Sequence, residues 1–200
     1  MAITNGYATL AEVKASLRLT DSTDDALLER AIESASRRID EYCGRFFYKT
    51  SQTAVTMYPI NEYLLSFPND VANTSVTIKI DTNADGTYAT TLVQGSDYIL
   101  EPTNSPLQGY PYSLARMVGG QTFPLEVLPS FPTVQVTAQW GWDAVPSAVN
   151  QACIILSMRQ FARLNSSLGV VGFADMAISV RAVDPDVRDL LNGYVIFGVL

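Results

Sequence analysis

The spacing of apolar residues changes twice along this 200-residue chain, and that double change constrains the fold more than any single motif. From residue 9 to about 49, apolar side chains recur at three- and four-residue intervals, as on a helix. From about 50 to 142 they fall in short alternating runs rich in Thr, Val, Tyr, Gly and Pro, as in strands joined by turns. After Val145 the helical spacing returns. The expected architecture is α+β: a mainly helical bundle of about four helices, interrupted by a small antiparallel β subdomain. The expected boundaries are 1–49 for the first helical half, 50–142 for the β insertion and 143–200 for the second helical half.

The helical segments carry their own start and stop signals. Leu10, Val13 and Leu17 share a face, and Thr9 with Glu12 three residues later makes a capping box. A second helix follows the acidic loop 20–25, with Ser22 or Thr23 as the expected N-cap. Its stripe is Leu28, Ile32, Ala35, Ile39 and Tyr42 or Cys43, and Gly44 is placed to end it. Glu33 and Arg37 stand four apart, in the order that favours a weak surface pair. Pro146 suits the first turn of a third helix, on which Val149, Ala152, Cys153, Ile155, Leu156, Met158, Phe161 and Ala162 cover much of the circumference. A helix that apolar is central to a core or buried between subunits. A Gly-rich apolar connection spans 166–183, with a strand expected at 176–180. Asp184 and Pro185 then open a last helix bearing Val187, Leu190, Leu191 and Tyr194.

In the middle segment, residues 75–81, 87–93, 97–102 and 133–140 read as strands. The sequence DTNADG between the first two is a natural hairpin turn. Six prolines between positions 102 and 132 predict an irregular or edge-forming stretch.

Composition removes whole classes of chemistry. The chain has no histidine, which excludes His-based triads, His metal ligands and His acid–base catalysis. Its two cysteines, Cys43 and Cys153, both fall in helical stretches outside any CxxC motif, so free buried thiols in a reducing compartment are expected. No apolar run approaches the ~18 residues of a membrane span, and the first ten residues lack the pattern of a secretory signal. The net charge of −7 is uneven: residues 51–145 carry 2 basic and 8 acidic groups, whereas 1–50 carry 7 and 8. An acidic middle is a poor surface for gripping nucleic acid, where Lys and Arg supply most of the affinity. Net charge of this sign also simply favours solubility.

The candidate chemical motifs are all incomplete. Asp81, Asn83 and Asp85, followed by Gly86, match the first half of an EF-hand calcium loop. The expected bidentate Glu is replaced by Leu92, and the flanks are strand-like. A hairpin turn is therefore preferred to a weak cation site, since Asn, Asp and Gly also suit turns. The glycines at 169 and 172 precede no Lys-Ser/Thr pair, so no phosphate loop is present. Ser34, Ser36, Ser166 and Ser167 have no histidine to activate them. Adjacent carboxylates such as Asp24/Asp25 and Asp40/Glu41 do not face each other on a helix and read as solvated faces and caps. The aromatic groups at 46–48, 110–112 and 140–142 have few basic partners, which favours packing where helices meet the β insertion over base stacking. No catalytic residue and no cofactor are expected.

Three ordered stretches carry a resemblance. Residues 7–48 combine a short helix, an acidic turn and a long helix ending in Tyr42, Cys43, Gly44, Arg45, Phe46 and Phe47. Trp140-Gly141-Trp142 precedes Val145-Pro146 and an apolar helix. Residues 168–173, then Ile178 to Arg181 and Asp184 to Val187, complete the pattern. Together these resemble the head–tail connector, or adaptor, proteins of tailed bacteriophages. The resemblance implies a four-helix bundle with an inserted β portion, and a homo-oligomeric ring, commonly a dodecamer. It implies portal protein on one side, a tail or stopper protein on the other, and double-stranded DNA passing through the lumen without sequence-specific binding. It implies no enzyme, no membrane and a place in the virion neck after assembly in the host cytoplasm. Departing from the family, the chain ends in the apolar run 194–200. The expected interface residues are Ile155, Met158 and Phe161 on the third helix, Val170, Val171 and Phe173 in the connection, and Ile196 and Phe197 in the tail. The alternatives are another phage neck or tail-completion protein, or a cation- or carbohydrate-binding β module.

Overall fold

The computed structural model describes residues 3–72, 75–83, 85–125, 131–164 and 185–196. The chain divides into two compact units, one formed by Met1–Tyr48 with Val145–Leu200 and the other by Lys49–Ala144.

The first unit is helical. Helix α1, Leu10–Leu17, opens with the expected capping box: Thr9 Oγ1 accepts from Glu12 N–H at 3.2 Å, and the Glu12 carboxylate accepts from Thr9 N–H at 2.7 Å. Helix α2 spans Asp25–Cys43 and starts later than expected, with Asp24 at the N-cap and no side-chain cap. The physical reason is local. Asp21 accepts from Thr23 N–H at 3.0 Å, and this turn holds Ser22 and Thr23 ahead of the helix. Lys14 reaches across from α1 to Asp25 at 2.6 Å. At the far end Gly44 takes φ 68°, a left-handed conformation easy only for glycine, and donates to Asp40 C=O at 2.8 Å.

The predicted stripe of α2 is buried: Leu28, Ile32, Ala35, Ile39 and Cys43, with Ala31 and Ser36. It packs mainly on α4, the helix Ser147–Leu164, whose Val149, Ala152, Cys153, Ile154 and Leu156 are buried. Pro146 stands just before α4 and accepts from Asn150 N–H at 3.0 Å. A last helix, α5 (Pro185–Leu191), buries Val187 and Leu191 and runs into a 3₁₀ turn at Asn192–Tyr194. Its Pro185 is the first helical residue as expected; the strand expected at 176–180 lies outside the described residues. Both cysteines are free and buried.

The second unit is built on two antiparallel sheets. The larger has strand order β1-β7-β3-β4, with β1 Gln52–Met57, β3 Thr77–Ile80, β4 Thr90–Leu92 and β7 Val134–Gln139. The smaller has order β2-β6-β5, with β2 Leu64–Val71, β5 Tyr98–Glu101 and β6 Tyr112–Met117. A single helical turn, α3 (Ser105–Gln108), precedes β6. Strand β7 alternates as its sequence requires, burying Val134, Val136 and Ala138. Side chains of the two sheets meet: Phe67 packs edge-on against Trp140 at 6.0 Å, and the Tyr98 hydroxyl donates to Val76 C=O at 2.9 Å.

Two expectations are corrected here. The fold is α+β, but not mainly a helical bundle, because seven strands in two sheets stand beside five helices among the described residues. The proline-rich stretch also contains a central strand. β6 lies between β2 and β5, because Pro111 stops just before it and the next proline is Pro124, leaving every N–H of Tyr112–Met117 free to pair.

Candidate assembly surfaces

Local polar locks account for several residues that could be mistaken for chemical groups. Tyr7, buried at the N-terminal edge of the helical unit, is tied through all three of its polar groups. Its N–H donates to Ser36 Oγ at 3.0 Å, its C=O accepts from Asn150 Nδ2 at 2.8 Å, and its hydroxyl donates to Asp40 while accepting from Phe47 N–H at 2.8 Å. Burial and the Asp40 contact push the Tyr7 hydroxyl well above its ordinary range. Burial also raises the Asp40 carboxyl, against the opposing hydrogen bond from Tyr7 and the charge of Arg37. Arg37 bridges the same group: it meets Asp40 at 3.1 Å, donates to Asn5 C=O at 2.9 Å, and lies over the rings of Tyr7 and Tyr48 at 5.6 and 5.1 Å. Its weak pair with Glu33, at 3.9 Å, is secondary. Phe47 packs edge-on to both Tyr7 and Tyr194. The aromatic exit from α2 is a packing lock for the start of the chain.

The tryptophans are used in a similar way in the β unit. Trp140 Nε1 donates to Thr53 C=O at 3.0 Å, and Trp142 Nε1 donates to the buried Asp70 carboxylate at 2.8 Å. Both side chains are buried, so neither is a platform for stacked bases. Cys153 sits beside Ser36 and Ser157 in the helical core, and burial raises its thiol pKa; burial likewise pushes the Cys43 thiol up to about 11. Both stay protonated and unreactive at neutral pH.

The partial calcium motif forms a turn. Residues 81–89 connect β3 to β4, whose pairing is Ile80↔Thr90. Buried Asp81 accepts from Asn83 N–H at 3.0 Å through one oxygen and from Gly86 N–H at 2.6 Å through the other. Asp85 accepts from Thr87 N–H at 2.8 Å. Among the described residues no group of three or more His, Cys, Asp or Glu is placed to hold a metal ion, and no helix is long and apolar enough to cross a membrane.

Of the expected interface residues, Ile155 and Met158 are half-buried on α4, while Phe161 is buried. Ile196 is 42% exposed, and its N–H donates to Cys43 C=O at 2.9 Å, satisfying a carbonyl at the end of α2. Val170, Val171, Phe173 and Phe197 lie outside the described residues.

Other exposed apolar residues had not been singled out. Leu107 is 89% exposed, Ile60 63%, Phe131 60% and Tyr58 50%. Tyr58, Ile60 and Phe131 flank prolines at 59 and 132 in loops, a signal that sequence patterning on helices and strands passes over. On the helical unit, Leu27, Arg30, Ala31 and Ser34 of α2 and Gln160 of α4 line an open groove of about 310 Å³.

Comparison with known proteins gives consistent matches. Residues 7–98 match the family model described as phage gp6-like head-tail connector protein. A chain in the neck of an empty gene transfer agent (GTA) particle, computed with C6 symmetry, is similar in fold, with a TM-score of 0.61 at 16% identity, covering 100% of this chain and 95% of that one. A chain in the neck of a native GTA particle, computed with C12 symmetry, gives 0.58 at 17% identity, over 100% and 94%. One in the virion of the native GTA particle gives 0.53 at 19% identity, over 100% and 95%. No curated protein matches the sequence. The family match begins at Tyr7, the residue that locks the helical unit, and runs through α1, α2 and into the β unit as far as Tyr98. The similarity to the phage gp6-like head-tail connector family thus covers residues 7–98, and the likeness in fold to the GTA chains covers the whole chain.

Proposed function

We propose that this protein is a structural head–tail connector subunit, placed in the neck of a phage-like virion and forming a ring through which double-stranded DNA passes. The observation that carries this reading is the family match over residues 7–98. It is supported by a fold shared along the whole chain with proteins of GTA necks computed with C6 and C12 symmetry. The reading makes it a structural protein, not an enzyme, with portal protein above and a tail or stopper protein below. A dodecamer is the proposed assembly.

Its physical chemistry suits that role. An acidic β unit holds DNA weakly, so it would let the duplex slide without sequence-specific contact. Cyclic rings use heterologous interfaces, one face of a subunit against a different face of the next. The apolar tail, with Ile196 exposed, is proposed to pack on a neighbouring subunit or partner, together with the α4 residues Ile155 and Met158. Electron microscopy of the purified protein, alone and with portal or tail extract, tests the proposal. Ring-shaped particles, or decoration of portal or tail, are expected. A protein that stays monomeric and joins neither particle would refute the connector role.

A further inference from the structure

Two surfaces, one on each unit, have complementary chemistry. The first lies at the end of the larger sheet where β1 finishes, β7 begins and the 81–89 connection crosses. Tyr88 donates to Pro132 C=O at 2.6 Å, shares a side-chain hydrogen bond with Thr56, and is near enough to Asp81 and Tyr58 to feel their charge. The Phe131 ring packs on Gly86, where even a Cβ would stand 3.7 Å from it. Tyr58 and Phe131 are more than half exposed or close to it, and exposed Asp85 stands beside Gly86. This is an aromatic patch with an acidic margin, in a unit whose charge is strongly acidic. The second surface is the groove between α2 and α4. Leu27 and Ala31 form its apolar floor, one helical turn apart, and exposed Arg30 stands on its rim with no ion pair among the described residues.

Neither surface suits a copy of itself. Aromatic patches rimmed by carboxylates repel one another, and two Arg30 rims do the same. Each suits the other. An exposed Phe or Tyr ring fills an apolar groove, arginine sits well on aromatic faces, and Asp85 can pair with Arg30. Such a head-to-tail contact between unlike faces is the kind that closes into a ring. Resting on the ring assembly proposed above, we infer that neighbouring copies join by seating the Tyr58–Phe131 patch of one β unit in the α2–α4 groove of the next copy's helical unit. The occupant of the groove is thus a second copy of this chain.

The test uses the full-length protein under the conditions, alone or with portal, in which the wild type forms rings, with assembly read by native mass spectrometry. Phe131→Ala and Leu27→Lys are each expected to weaken assembly by about tenfold or more. Arg30→Asp and Asp85→Arg should each weaken it, and the double swap should recover most of the loss. All four residues are exposed, and circular dichroism checks that each variant remains folded. Exposed to an added oxidant such as copper phenanthroline, a Ser34→Cys/Asp85→Cys variant should give a ladder of disulfide-linked copies, since the native cysteines are buried. Rings that form equally well in Phe131→Ala, Leu27→Lys and the single swaps would overturn this interface while leaving the ring intact. A wild type that forms no ring in any setting would overturn both.

Discussion

Trp142 Nε1 donates to the buried carboxylate of Asp70 at 2.8 Å, and this bond ties the two sheets of the β unit together. Asp70 belongs to β2 of the smaller sheet, and Trp142 follows β7 of the larger. The backbone repeats the link: Gly141 N–H donates to Asp70 C=O at 2.7 Å, and Ala72 N–H to Gln139 C=O at 3.0 Å. The Trp-Gly-Trp segment is therefore a clasp. Trp142→Phe keeps most of the packing but leaves Asp70 short of a donor. It should cost about 1–3 kcal/mol in urea denaturation of the β unit. An unchanged midpoint would show that the bond is dispensable.

Tyr7→Phe removes one hydroxyl that serves two partners. Phe47 N–H loses its acceptor in a buried site, and Asp40 loses a donor. The expected destabilisation is about 1–3 kcal/mol, since an unsatisfied buried donor costs its desolvation. Hydrogen exchange at the Phe47 amide should accelerate in step.

Asp81→Ala removes a carboxylate that caps two backbone N–H groups of the 81–89 connection. A loss of about 1–2 kcal/mol is expected, in the range of a lost cap. Calorimetric titration of the wild type with millimolar calcium should give no saturable heat. Saturable binding lost in Asp81→Ala plus Asp85→Ala would instead make the turn a cation site.

Alkaline pH should loosen the β unit through Tyr98. Burial pushes its hydroxyl up to about 12 from an ordinary value of 10.0. Between these values the unfolded chain has lost the proton while the folded one keeps it. Stability is therefore undiminished below about pH 10 and falls as pH rises towards 12. Spectrophotometric titration of the tyrosines should show a late ionisation that disappears in Tyr98→Phe.

Much of this architecture was legible because local chemistry and tertiary structure agree. The Thr9–Glu12 capping box, the α2 stripe and the alternation of β7 each report a neighbour one turn away or a single buried face. Strands β1 and β2 were not legible. β1 is exposed on both faces along most of its length, so it has no reason to alternate. β2 holds Pro68 within a register shift between Ser66 and Val71, which breaks the period of two, and as an edge strand it tolerates both. The Tyr7 lock was illegible for another reason. Its partners Ser36, Asp40, Phe47 and Asn150 lie 29 to 143 positions away, beyond any local pattern. Of the proposed assembly surfaces, the apolar excess of α4 could be read from sequence, whereas the Tyr58–Phe131 patch exists only once the loops are brought together.

The place of the β unit in the chain has a consequence for the order of events during synthesis. Helix α2 leaves the ribosome with Leu28, Ile32 and Ile39 ready for burial, yet the helix that covers them begins only at Ser147. Closing an unstructured loop as long as 49–144 would cost roughly 4 kcal/mol of chain entropy. A folded β unit removes most of that cost. Its two ends are already held side by side, Lys49 meeting Asp143 at 3.1 Å and Thr50 N–H donating to Trp140 C=O at 2.8 Å. The inserted sheets would thus act as a hinge pin set in place before the helices close, and a nascent chain stalled before residue 140 would carry an uncovered α2.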